Sequence, residues 1–295
     1  MRSIQLFLAV VVLTTCGNRL VSGVDLYVSN SGNGTISKID TAGTATTFAT
    51  GLSTPRGLAF DTSGNLYVAN SISSGIISKI DTLGNVTTFA TGLSNPSGLV
   101  FDTSGTLYVA NGGSNSISKI DSGGNVTAFA TGLGGGPRGL AFDSSSNLYV
   151  ALDNNTIGKI NSAGTVSVFV SSGLSSPQGL AFDNSGYLYV ANATAGSIDK
   201  VDTSGTLTSF ATGLGFPVGI AFGSSGNLFA ANNSGSLTIL QITTGGSSST
   251  FSSGLNSPSY LAFAPVIVPE PSSFVLAALA SGVMWMVARK RSALS

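Results

Sequence analysis

Residues 55–95 read PRGLAFDTSGNLYVANSISSGIISKIDTLGNVTTFATGLSN, and at Pro96 the same phrase starts again as Pro96-Ser97-Gly98-Leu99. The phrase Pro-x-Gly-Leu-Ala-Phe, or a near variant, begins at Pro55, Pro96, Pro137, Pro177, Pro217 and Pro258, at spacings of 41, 41, 40, 40 and 41 residues. A period of about 40 residues is that of a four-stranded blade. Inside the quoted repeat four short β-type runs follow one another: Gly57 to Phe60, Leu66 to Ala69, Ile77 to Ile80 and Val86 to Ala90. The connections Asp61-Thr62-Ser63-Gly64-Asn65 and Asp81-Thr82-Leu83-Gly84-Asn85 are turn chemistry, in which Asp closes an Asx turn and Gly takes a positive φ. Each unit is therefore an antiparallel meander of strands A, B, C and D.

The strand B phrase recurs at Leu26, Leu66, Leu107, Leu148, Leu188 and Leu228, yet the patterned region opens on a B strand and ends on an A strand at Leu261-Ala262-Phe263. Setting that last strand beside Leu26-Tyr27-Val28 completes the first blade and predicts an all-β, six-bladed β-propeller of four-stranded antiparallel blades with three-plus-one closure over residues 24–264. Closure buries faces that a linear stack of blades exposes at its ends. Tyr27, Tyr67, Tyr108, Tyr149 and Tyr189 recur at one position with Phe229 as the sixth, as expected of packing between blades. The composition agrees. The 39 Gly, 8% charged and 42% hydrophobic residues exclude a disordered chain, which is charge-rich and poor in β-branched and aromatic residues.

The chain carries 12 basic and 12 acidic residues and no His, so it lacks the concentrated basic surface that neutralises phosphates, and nucleic acid is excluded as a partner. Between residues 24 and 264 there are 11 Asp against 5 Lys and 2 Arg, a net charge of −4, and no His, Glu, Cys, Met or Trp. Chemistry in the propeller is left to Asp, Asn, Ser, Thr, Tyr, Lys and Arg.

The repeats resemble the NHL family and, more loosely, gluconolactonase-like propellers, through Pro-x-Gly-Leu-Ala-Phe-Asp followed by Gly-Asn-Leu-Tyr-Val-Ala-Asn. The resemblance implies the propeller fold and leaves activity open, because such propellers include enzymes and binding modules.

Both ends read as addresses. Arg2, the apolar run Ile4 to Leu13 and small residues at Val21-Ser22-Gly23 predict a signal peptide over residues 1–23, and hence export. Cys16 leaves with it; a lipoprotein cysteine in Leu13-Thr14-Thr15-Cys16 is the alternative, disfavoured by Thr before the Cys. The mature chain then has no disulfide. At the other end, Pro269-Glu270-Pro271 precedes an uncharged stretch, 274–288, and the cluster Arg289-Lys290-Arg291. Fifteen residues span about 22 Å as a helix, short of a roughly 30 Å hydrocarbon core, with flanking basic residues able to snorkel. The order of triplet, helix and basic cluster over residues 265–295 resembles the PEP-CTERM sorting signal. That resemblance implies recognition by an exosortase, membrane residence before processing, and delivery to a bacterial cell surface, envelope or extracellular matrix. Glu270 is then a recognition residue.

Strand direction sorts the loops into two faces. The A-to-B and C-to-D turns share one face, nearly uniform in sequence, and Asp40, Asp61, Asp81, Asp102, Asp121, Asp143 and Asp183 are read there as turn residues. The D-to-A and B-to-C connections share the other face and carry the differences between blades, which is where binding resides on a rigid frame. Around its channel mouth stand the residues that follow each repeat proline: Arg56, Ser97, Arg138, Gln178, Val218 and Ser259. Two guanidinium groups suit a carboxylate or phosphate; the alternative is a pair of solvated rim charges. Strand B ends in Asn30, Asn70, Asn111, Asn192 and Asn232, with Leu152 and Asp153 breaking the series. An amide ring with Asp153 is a candidate for Ca²⁺, since hard cations take oxygen ligands; capping of turns is the competing reading. Lys38, Lys79, Lys119, Lys159 and Lys200 lie in strand C, their stems over apolar surface.

Gluconolactonase-like sites typically include Glu, and related lactonases and lyases use His. The propeller has neither, and a Ser-His-Asp arrangement is excluded. The expectation is a non-enzymatic binding or scaffold propeller of a bacterial envelope, with an envelope polysaccharide or protein as partner. A metal-dependent lactonase or lyase centred on Asp153 is the alternative.

Overall fold

A computed structural model describes residues 25–235 and 237–265 of the chain. The expected signal peptide, the helix 274–288 and the sorting residues Pro269, Glu270, Pro271, Arg289, Lys290 and Arg291 lie outside the described residues.

Among the described residues, 24 strands form six separate four-stranded sheets. Blade one joins A (Pro258–Phe263), B (Leu26–Asn30), C (Thr35–Ile39) and D (Ala45–Ala49), in that spatial order. The closing pair is antiparallel, with Leu26 opposite Phe263, Tyr27 opposite Ala262 and Val28 opposite Leu261. Blade two runs A (Pro55–Phe60), B (Leu66–Asn70), C (Gly75–Ile80) and D (Val86–Leu93), and the remaining four repeat the pattern. The six A strands neighbour one another in turn and line the axis. The D strands form the rim, where most side chains face solvent.

The core is divided among the blade interfaces. Six apolar clusters bridge neighbouring blades, as when Tyr27 and Ile36 of blade one pack with Leu58, Leu66 and Val68 of blade two. The seam cluster joins Leu26, Val28 and Ile39 to Phe229, Ala231 and Ile239, so the ring is sealed by the same chemistry as its other joints. Each strand B aromatic stands edge-on to two phenylalanines, one from its own strand D and one from strand A of the next blade. Tyr108 meets Phe129 at 5.1 Å and Phe142 at 5.0 Å between ring centres, and Phe229 meets Phe251 at 5.0 Å and Phe263 at 5.2 Å. The strand C lysines lie across these rings, with Nζ of Lys79, Lys119 and Lys159 5.5, 5.1 and 5.1 Å from the centres of Tyr67, Tyr108 and Tyr149.

The turn face is built as its repetition implies. Asp61 Oδ1 accepts the N–H groups of Ser63 at 3.0 Å and Asn65 at 2.8 Å. Asp40, Asp81, Asp102, Asp121, Asp143 and Asp183 each accept two backbone N–H groups in the same way, and Asn161 replaces Asp in blade four without loss of the motif.

Two features of strand A position the site. Each A–B pairing slips by one residue just after the repeat proline: Pro55 faces Asn70, but Leu58 faces Val68. This bulge aims the residue after the proline at the channel mouth. The glycine that follows is required by close approach: a β-carbon at Gly57, Gly98, Gly139 or Gly179 falls 2.0 to 2.4 Å from a backbone oxygen of the next blade. The sixth blade-equivalent position holds Tyr260.

Candidate functional site

The bulged strand starts bring Arg56, Arg138 and Gln178 together with Ser259, Val218 and Phe216 around an axial mouth of about 220 Å³. Arg56 and Arg138 come from blades two and four. Ser97 of the blade between them is buried, and its hydroxyl donates to the carbonyl oxygens of Pro137 at 3.0 Å and Arg138 at 3.1 Å, fixing the backbone under Arg138. The Nε atoms of both arginines are buried and have no hydrogen-bond partner in the protein. Arg56 is in no ion pair among the described residues, and Arg138 Nη2 lies 3.8 Å from Asp153 Oδ2. Both arginines are half-buried and line the mouth, where the positive charge of two guanidinium groups favours an anion.

Tyr260 lies beneath this mouth. Its ring is 9% exposed and joins inner-strand Leu58, Leu99, Leu140 and Leu180 around a smaller cavity of about 80 Å³ further down the axis. Its hydroxyl is buried and also lacks a partner. Desolvation raises its pKa above the ordinary tyrosine value, partly opposed by the charges of Arg56 and Arg138. The phenol is thus neutral and able to donate.

The strand-end amides Asn70, Asn111 and Asn192 are engaged within the blades, as the capping reading of these residues expects. All three are buried, and their Nδ2 groups donate to strand C: Asn70 to Ser78 Oγ at 2.9 Å, Asn111 to Ser118 Oγ at 2.9 Å, and Asn192 to Asp199 Oδ2 at 2.7 Å. On the other side, Asn70 Oδ1 accepts Ser53 N–H at 3.0 Å and Asn192 Oδ1 accepts Ser175 N–H at 3.1 Å. Asn70 and Asn192 thus pin a D-to-A loop to the end of a blade, whereas Asn111 Oδ1 is buried without a partner. Burial holds the Asp199 carboxyl above its usual range, partly opposed by the Asn192 amide.

Asp153 is the same pin in blade four, where the strand ends in Leu152. Its Oδ1 accepts Gly136 N–H at 2.7 Å while Oδ2 faces Arg138. The donor set does not fit Ca²⁺: the carboxylate is shared between a backbone N–H and a guanidinium, the neighbouring amides are engaged inward, and among the described residues no three acidic, His or Cys side chains cluster.

The mouth residues Arg56, Arg138 and Gln178 were legible from the repeat. Phe216, Ser31 and Asn233, which complete the mouth, carry no repeat signal, and Tyr260 beneath it is the one bulky residue at a repeat glycine.

Known structures share this frame. The chain is similar to the crystal structure of selenomethionine-substituted virginiamycin B lyase from Staphylococcus aureus, at 21% identity and a TM-score of 0.59 over 70% of this chain and 73% of that one. A streptogramin B lyase structure matches at 20% identity and a TM-score of 0.59, covering 79% and 75%. A catalytically inactive histidine-to-alanine variant of the Staphylococcus aureus lyase, solved with quinupristin, matches at 19% identity and a TM-score of 0.62, covering 80% and 86%. At these identities the likeness shows the fold. Comparison with curated protein sequences gives no match. Residues 13–240 match the virginiamycin B lyase family, and the chain belongs to it.

Proposed function

We propose that this chain is a binding member of its family, which takes an anionic ligand in the axial mouth between Arg56 and Arg138. The observation that carries the reading is the convergence of two half-buried arginines on one axial mouth, Arg56 being in no ion pair among the described residues. Gln178 adds an amide on the same rim. Carboxylate and phosphate groups both suit such donors.

A lyase is the second reading, favoured by family membership. Against it stands the absence of a general base. The relative solved with quinupristin is inactive when one histidine is replaced by alanine, and this sequence contains no histidine at all. Asp153 is held by Gly136 N–H and Arg138 and is poorly placed to move a proton. In the proposed reading the two ends, residues 1–23 and 265–295, export the chain and sort it to a bacterial envelope, where a polysaccharide or protein carrying anionic groups is its partner; the order of their sequence elements supports this.

Incubating the purified protein with quinupristin and following linear product by mass spectrometry separates the readings. The expected result is intact quinupristin. Enzyme-dependent turnover that survives replacement of both arginines overturns the binding reading.

A further inference from the structure

The turn face, opposite the arginine mouth, opens into clefts at the joints between blades. One, of about 410 Å³, lies where blade two meets blade three and is lined by Phe60, Asp61, Tyr67, Lys79, Phe89 and Phe101. Another, of about 490 Å³, lies where blade five meets blade six and is lined by the equivalent Phe182, Asp183, Tyr189, Lys200, Phe210 and Phe222. Both volumes are those of small-molecule sites, and all six phenylalanines are half-buried. Blades two to five carry the same polar trio: a strand B tyrosine opposite a strand C lysine (Tyr67 and Lys79, Tyr108 and Lys119, Tyr149 and Lys159, Tyr189 and Lys200), and an aspartate six residues before the tyrosine. Blade six lacks all three, with Phe229 opposite Gln241 and Gly223 at the aspartate position. Its joint closes nonetheless, with ring centres 5.0 and 5.2 Å apart against 5.1 and 5.0 Å around Tyr108. Packing of a joint therefore does not require the trio, and its recurrence in four blades calls for another use.

We propose that these clefts hold successive stretches of a neutral polysaccharide, one cleft to each trio. The groups of a trio stand close together: the Tyr67 hydroxyl is 3.4 Å from Asp61 Oδ2, and Lys159 and Lys200 Nζ are 3.9 and 3.8 Å from Asp143 and Asp183 Oδ2. The other oxygen of each carboxylate, Oδ1, is taken up by the N–H groups of its turn. An ammonium and a phenol donate to sugar hydroxyls, a carboxylate accepts from them, and the half-buried phenylalanines meet the apolar C–H side of the sugar ring. Asp102 and Asp121 add carboxylates to the first cleft only. What the two clefts share is one ammonium and one carboxylate, a balance that suits an uncharged ligand. Near-identical clefts cannot tell different ligands apart, but they suit a partner that itself repeats, and several weak sites on one face bind a polymer by avidity. The proposal concerns the face opposite the mouth and does not rest on the anion-binding reading.

Native gels cast with dextran, laminarin or hydroxyethylcellulose, three neutral glucans of different linkage, test this against blank gels. Wild type is expected to be retarded by at least one of them. The quadruple variant Lys79→Gln, Lys119→Gln, Lys159→Gln, Lys200→Gln, which copies Gln241 of blade six, should melt within a few degrees of wild type and lose the retardation, whereas the double variant Arg56→Ala, Arg138→Ala should keep it. Calorimetry with a hexasaccharide of the retarding glucan should give about four sites per chain in wild type and one fewer in Lys79→Gln, and the polymer should bind at least about 100-fold more tightly than the hexasaccharide. A folded quadruple variant retarded like wild type, a single hexasaccharide site, or retardation lost with the two arginines overturns the assignment to the clefts. Wild type unretarded by all three glucans overturns the proposal and leaves the anion-binding reading standing.

Discussion

Replacing Tyr108 by alanine tests whether stability resides in the joints between blades. Tyr108 is 7% exposed and touches Phe129 of its own blade and Phe142 of the next with ring centres 5.1 and 5.0 Å away. Truncating a buried aromatic costs about 3–5 kcal/mol, lost packing and cavity together. For a domain of this size each kcal/mol lowers the melting temperature by about 2–4 °C, so the midpoint should fall by about 6–20 °C. Tyr108→Phe keeps both edge contacts and the Lys119 ammonium above the ring, and Phe229 performs the same role in blade six. That variant should lie within about 1 kcal/mol of wild type. Far-UV circular dichroism, followed through urea and thermal unfolding, reads both. An alanine variant that melts with wild type, or a phenylalanine variant as unstable as the alanine one, refutes the assignment of stability to the aromatic joint.

Other expectations follow from the same geometry. Asn70→Ala frees Ser53 N–H and Ser78 Oγ and should cost about 1–3 kcal/mol in urea unfolding while leaving phenyl phosphate affinity unchanged. Asp153→Asn removes the carboxylate beside Arg138 but keeps an acceptor for Gly136 N–H; phenyl phosphate should bind about twofold to fivefold tighter by calorimetry. On the turn face, hydrogen bonds from Asn125, first its side chain and then its backbone, hold the Asp121 carboxyl below 3.8. A folded pKa below the unfolded one adds stability above the unfolded value that is lost as pH falls through the folded one, so urea midpoints should drop below about pH 4. Asp121→Asn, which copies Asn161 of blade four, should flatten that acid limb.

The six-fold frame was readable because its signals are redundant. Counting strand B and strand A phrases places the leftover Leu261-Ala262-Phe263 beside Leu26-Tyr27-Val28, and the register follows from alternation. The six-bladed propeller expected from the repeats is the fold observed, and the family is that of virginiamycin B lyase. The repeat places Arg56 and Arg138 at the channel mouth, whereas the bulge after each repeat proline carries no residue type that announces it and emerges only with the strands paired. The strand-end asparagines were ambiguous for a physical reason: a polar residue repeated at a loop edge suits a ligand ring or a loop pin equally. Ser37, Ser78 and Ser118, repeating in strand C as partners for the amides, were the signal that decides between them. Tyr260 and Ser29 carry no signal in the repeat because they depart from it, and their mutual hydrogen bonds appear only with the seam closed.

Calorimetric titration of phenyl phosphate into wild type and into the double variant Arg56→Ala, Arg138→Ala is the most direct test of the axial mouth as the binding site. Saturable one-site binding to wild type, absent from a double variant with an unchanged circular dichroism spectrum, is expected. Equal heats for the two proteins, or none for wild type, contradict it.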